Sequence, residues 1–184
     1  FTNGLFVKQS LNIGTYNYKK EEADGLIEAG PVNQLNKYSN VKLNGDMLAA
    51  DTLNMNNASL EFVKSNLYVY DILGKKSNDA VLKNSCIKLT NDTQSRFNLL
   101  VNGKMNVIYS GNDSQQCRTL SGVYFSEKGI DIKTNNRDVV IHGVMFGDIT
   151  ADHPERVKFT IEPKYLDGFQ MNNAKLIPLG RTYD

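Results

Sequence analysis

Four carboxylates in the last third of the chain are spaced in two matching steps. Glu127 and Asp148 are 21 residues apart, and so are Asp131 and Asp152. If a fold stacked such residues about 5 Å apart, they could form a glycosidase acid–nucleophile pair or hold Ca²⁺. Lys128, Lys133 and Arg156 lie among them in sequence. That mixture equally describes a solvated charged edge, and it is the preferred reading, because carboxylate pairs without a fixed motif arise freely. No metal site and no catalytic group is therefore expected. His142 falls in an apolar run and His153 in the polar turn Asp152-His153-Pro154-Glu155, neither with another histidine nearby in sequence to complete a transition-metal set. The chain has no Gly-x-Ser-x-Gly elbow, phosphate loop or dinucleotide fingerprint. No cofactor is expected.

Cys86 and Cys117 are the only thiols. They are compatible with one disulfide or with two free thiols, Cys86 in an apolar context and Cys117 in a polar one. A bridge would indicate an oxidising, exported location. Tyr68 and Tyr70 alternate along an apolar run, as Tyr16 and Tyr18 do beside Lys19-Lys20. Such tyrosines either pack or present rings to a sugar or a protein.

The elements that must position these groups are sheet elements. The chain has 184 residues, a net charge of +1 and 40% hydrophobic residues, enough for one domain with a core. Asn is unusually frequent, with 22 copies, which disfavours helix and favours turns. Near-neutrality argues against nucleic acid as a partner. No apolar run is long enough for a membrane-spanning helix. The chain opens at Phe1, which reads as a processed product or a cut fragment, anchored, if at all, by a segment upstream.

An apolar–x–small–x–apolar unit recurs about every 20 residues, anchored at Gly4, Gly25, Gly45, Ser65, Asn84, Gly103, Gly122, Gly143 and Pro163. That period predicts an all-β, single-domain β-solenoid over residues 1–184, about 20 residues per coil, with roughly eight to nine coils. Residues 167–184 would be a capping tail. The alternative is an antiparallel β-sandwich. Asn and Gly would supply positive-φ corners, and stacked Asn side chains would form amide ladders. Two positions after each anchor comes a core column that includes Cys86. The next column includes Leu48, Tyr68, Ile87, Asn106, Phe125 and Phe146. Either a bend turns this column inward too, or it forms an apolar outer face on which Tyr68, Ile87, Phe125 and Phe146 bind a partner.

Residues 122–168 read GVYFSEKGIDIKTNNRDVVIHGVMFGDITADHPERVKFTIEPKYLDG. Through Gly122, Tyr124, Ile130, Ile132, Ile141, Gly143, Phe159, Ile161, Pro163, Tyr165 and Leu166 this segment resembles the β-solenoid of bacterial type IV pilus minor pilins and pilus-assembly proteins. The family's hydrophobic N-terminal helix has no counterpart after Phe1-Thr2, where Asn3-Gly4 follows. The resemblance implies a non-catalytic module of an exported bacterial surface protein, acting in pilus assembly or adhesion, with a protein or glycan partner. A carbohydrate-active β-helix enzyme and a filament-forming solenoid are the alternatives.

Overall fold

Runs in which apolar residues alternate with polar ones form strands that bury one side. The computed structural model describes residues 5–7, 11–14, 26–27, 39–43, 45–62, 64–71, 76–89, 95–111 and 116–161. These are nearly all β. In chain order the strands are β1 (Leu5–Val7), β2 (Leu11–Gly14), β3 (Leu26–Ile27), β4 (Ser39–Leu43), β5 (Met47–Ala49) and β6 (Leu53–Asn56). Next come β7 (Ala58–Phe62), β8 (Lys64–Val69), β9 (Ala80–Lys83), β10 (Cys86–Leu89), β11 (Arg96–Val101) and β12 (Met105–Ile108). The series ends with β13 (Thr119–Ser126), β14 (Ile130–Lys133), β15 (Val139–Phe146), β16 (Ile149–Ala151) and β17 (Val157–Thr160). Among the described residues a 3₁₀ turn at Pro154–Arg156 precedes β17.

All described pairings are parallel, and they build two sheets. One has seven strands in the order β16-β14-β12-β9-β6-β2-β3. The other has ten, and its long strand β13 joins two series: its first half pairs β10 through Ile87–Leu120, and its second half pairs β11 from Asn98–Val123 to Val101–Ser126. β15 continues from β13, and β17 from β15.

Register makes the core a set of files. In the seven-stranded sheet Leu11, Leu53, Ala80, Met105 and Ile130 are neighbours across successive strands, as are Ile13, Met55, Leu82, Val107 and Ile132. In the ten-stranded sheet the files are Met47–Leu67–Leu99–Tyr124–Met145 and Leu60–Ile87–Leu120–Ile141. All belong to one buried cluster between the sheets. Phe62 stacks on Phe97 with centroids 4.0 Å apart, and Phe97 meets Tyr124 edge-on at 6.0 Å. Such pairs contribute about 0.5–1.5 kcal/mol each beyond area burial.

This arrangement overturns both expected architectures, the regular β-solenoid of about 20 residues per coil and the antiparallel sandwich. Parallel pairing removes the sandwich. The solenoid of equal coils fails because the steps are unequal. Partners in register are 20 residues apart from Met47 to Leu67, 32 from Leu67 to Leu99 and 25 from Leu99 to Tyr124. The anchored units are also not equivalent, as the residues two after Gly45, Gly103 and Gly143 show. Met47 and Met145 share a file of the ten-stranded sheet, whereas Met105 belongs to the other sheet. The anchor Asn84, whose φ is 49°, lies between two strands, β9 and β10, and not at the centre of one. The expected tail, residues 167–184, lies outside the described residues.

The Asn excess has the physical role anticipated for it. Asn57, Asn84, Asn135 and Asn136 take positive φ at corners, which Asn tolerates better than most residues. Their amides also link neighbouring turns. Asn84 Nδ2 donates to Asn57 Oδ1 at 3.3 Å, and Ser110 N donates to Asn84 Oδ1 at 2.8 Å. On the ten-stranded sheet Asn98 Nδ2 donates to Asn66 Oδ1, and Asn66 Nδ2 to Asp46 Oδ1, both at 2.8 Å.

Candidate protein-interaction face

Because side chains alternate along a strand, the residue after each buried member of the Met47–Met145 file points away from the core. Those residues are Leu48, Tyr68, Leu100, Phe125 and Phe146, and they are in-register neighbours on β5, β8, β11, β13 and β15. Strands lie about 4.8 Å apart, so the file runs about 20 Å across the outside of the sheet. Tyr68 is 38% exposed and the other four are half-buried. Tyr70, 47% exposed, and half-buried Val144 lie beside it. Burial, and then the negative charge of Asp46, holds the Tyr68 phenol above its ordinary pKa, so it stays neutral.

The other outer faces differ. On the seven-stranded sheet Asn54, Val81, Asn106, Asp131 and Thr150 form one outward file, and Asn56, Lys83, Ile108 and Lys133 another. Glu61 is paired with Lys88 on β7 and β10. The apolar file is therefore a local feature of one surface.

Three of the four expected partner-binding residues, Tyr68, Phe125 and Phe146, come together here. Ile87 does not: it is fully buried in the Leu60–Ile141 file, because the 20-residue count slips where the steps lengthen. The same slip hides Leu100. Counting from Gly103 selects Asn106, which lies on the other sheet.

Cys86 is buried, as expected, but on the side of β10 level with Ser59 and not in the cluster between the sheets, and it is bonded to Cys117, with Cα atoms 5.5 Å apart. The bridge ties β10 to the chain entering β13. Beside it, the buried Arg118 guanidinium donates to the carbonyl of Thr134 and to Gln116 Oε1, and lies 4.9 Å from the Tyr109 ring centroid. Tyr109 donates its hydroxyl to Ser85 O at 2.9 Å. Burial pushes this phenol far up, against the opposing charge of Arg118.

The four carboxylates are separated into different roles. Asp131 accepts from Thr150 Oγ1 at 3.1 Å and faces Lys104 Nζ at 3.9 Å. Asp152 accepts from Thr134 N at 2.8 Å and Thr134 Oγ1 at 2.9 Å, closing the corner after β14. Burial opposes its charge, but the two Thr134 hydrogen bonds, with a backbone hydrogen bond and the charge of His153, outweigh it and hold its carboxyl below the ordinary range. Glu127 and Asp148 are exposed turn residues. Among the described residues no three His, Cys, Asp or Glu side chains gather into a metal-binding group. His153 Nδ1 lies 3.2 Å from Glu155 Oε1. His142 is level with Ser121 on one side, as the anchors Gly122 and Gly143 imply, and with Thr160 on the other.

No family model, curated protein or solved structure matches this chain. No helix among the described residues is long and apolar enough to cross a membrane.

Proposed function

We propose that this chain is a non-catalytic binding module of an exported bacterial surface protein, of the kind minor pilins supply to pilus assembly or adhesion. Its working surface is the outward file Leu48–Tyr68–Leu100–Phe125–Phe146. The observation that carries the reading is that file: apolar side chains aligned across five strands on the solvent side of a sheet. A contiguous exposed apolar patch commonly marks a contact with another macromolecule, and aromatic residues dominate the energy of protein contacts. A protein fits better than a glycan. Leu48, Leu100 and Val144 lie among the rings and suit a protein surface, while the Asp46–Asn66–Asn98 row along one side supplies the polar groups that a glycan would use. The Cys86–Cys117 bridge supports an oxidising, extracellular location.

The test compares two double variants in the producing cells, each checked for native circular dichroism. Phe125→Asp with Phe146→Asp should remove the protein from its surface assembly and leave it in the soluble fraction. Asp131→Asn with Asp152→Asn should leave assembly unchanged. Loss of a polysaccharide-cleaving activity in the second variant, with the first behaving as wild type, would establish the enzyme reading instead.

A further inference from the structure

Two stretches of the chain share one pattern, Lys64-Ser65-Asn66-Leu67-Tyr68-Val69 and Arg96-Phe97-Asn98-Leu99-Leu100-Val101, and they are the paired strands β8 and β11. At alternate positions each carries a cation, an asparagine and an apolar residue: Lys64-x-Asn66-x-Tyr68 beside Arg96-x-Asn98-x-Leu100. The intervening Ser65, Leu67, Phe97 and Leu99 are buried in the core, so the cation–asparagine–apolar series lies on the outer side. Tyr68 and Leu100 belong to the apolar file. Asn98 Nδ2 donates to Asn66 Oδ1 at 2.8 Å, which fixes the middle tier. Lys64 and Arg96 then stand level with each other, four residues or about 13 Å from the file.

Like charges directly opposite each other on neighbouring strands are destabilising. The fold does not relieve this pair. Among the described residues no carboxylate lies within ion-pair distance of either cation. Asp46, just before β5, instead uses its Oδ1 to accept from Asn66 N at 3.0 Å and Asn66 Nδ2 at 2.8 Å. Lys64 is exposed and Arg96 half-buried. Two level cations at the border of an apolar face are complementary to carboxylates at the border of whatever covers that face.

We infer that the protein bound here presents an acidic–apolar segment, with apolar side chains over Tyr68 and Leu100 and Asp or Glu carboxylates over Lys64 and Arg96. This rests on the reading of the file as a protein-binding face, and it adds the partner's charge and direction. The segment runs along β8 and β11, across the file. A span of about 13 Å corresponds to four residues of extended chain or about nine of helix.

The test uses the full chain in the producing cells, with a photo-reactive phenylalanine analogue at position 125 reporting contact with the partner. Lys64→Glu with Arg96→Glu should lower the yield of the protein adduct at least tenfold, and Lys64→Gln with Arg96→Gln at least threefold. Lys83→Glu with Lys133→Glu makes the same change in net charge on the seven-stranded sheet and should alter the yield less than twofold. The Gln pair should unfold at the wild-type temperature or above it, because it removes a like-charge contact; a lowered midpoint would assign the two cations a structural role and overturn the inference. Full adduct yield from the Lys64→Glu, Arg96→Glu variant would also overturn it while leaving the file as a protein-binding face. Absence of a position-125 adduct in the otherwise wild-type chain would remove that reading and the inference together. Binding of the purified protein to phosphatidylglycerol vesicles, abolished by the Glu pair and accompanied by no protein adduct in cells, would assign the cations to an anionic bilayer and equally overturn it.

Discussion

Gly122 and Gly143 are in-register neighbours on β13 and β15, and a Cβ on Gly143 would lie 1.9 Å from the Gly122 carbonyl oxygen. Both residues have positive φ, 129° and 144°. A Cβ on Gly122 would in turn lie 2.5 Å from Phe97 O. The pair sits where β13 passes from pairing with β10 to pairing with β11. It lets the backbone turn there without forcing the strands apart. Gly143→Ala should lower stability by at least about 3 kcal/mol, since both the clash and the dihedral are unfavourable. Gly111→Ala is the control: its φ is 82° but nothing lies within 4 Å of a Cβ there. It should cost only about 1–2 kcal/mol. Urea denaturation of the two variants measures the difference, and equal losses would contradict the close-approach argument.

Asn84 combines a positive-φ backbone with an amide that links Asn57 and Ser110. Asn84→Gly keeps the backbone freedom and loses the links; Asn84→Ala loses both. The expected order of stability is wild type, then Gly, then Ala, with roughly 1 kcal/mol per step. Thermal unfolding of the three proteins checks it, and an Ala variant more stable than the Gly variant would refute the corner role.

Much of the strand content, the buried alternation and the role of Asn could be read in the sequence, because each depends on residues a few positions apart. Global register could not. The step from Tyr68 to Leu100 is 32 residues, while the anchors imply about 20. The difference arises between β8 and β9 and between β10 and β11, where no local pattern limits the number of residues. One slipped count exchanged Leu100 for Asn106 and placed Ile87 on a surface it does not reach. Tyr68, Phe125 and Phe146 were still legible, since each directly follows a strongly apolar core residue: Leu67, Tyr124 or Met145. The Cys86–Cys117 contact was left open for the same reason, as it joins positions 31 residues apart.

That bridge closes a loop for which chain entropy predicts a contribution of about 3–4 kcal/mol. Cys86→Ala with Cys117→Ala should lower the urea midpoint accordingly, and a reductant should do the same to the wild type. An unchanged midpoint after complete reduction would show that the packing around Arg118 and Tyr109 alone fixes this corner.

Asp152 makes a pH-dependent contribution. Its folded pKa is lowered, so the native state favours the charged carboxylate more than the unfolded chain does. The stabilisation is present above the unfolded carboxylate pKa, and it is lost as pH falls through the lower folded value. Asp152→Asn should therefore narrow its deficit against wild type as pH falls from 6 to 2. Parallel stability curves over that range would contradict the Thr134 hydrogen-bond argument.

The central claim is that the file from Leu48 to Phe146 is a protein-binding face. A photo-reactive phenylalanine analogue placed singly at positions 68, 100, 125 and 146, and at Lys88 on a polar face, tests it most directly in the producing cells. The account predicts that the four file positions cross-link to the same protein and that position 88 does not. Absence of cross-links along the file, or the same adducts from position 88, would contradict it.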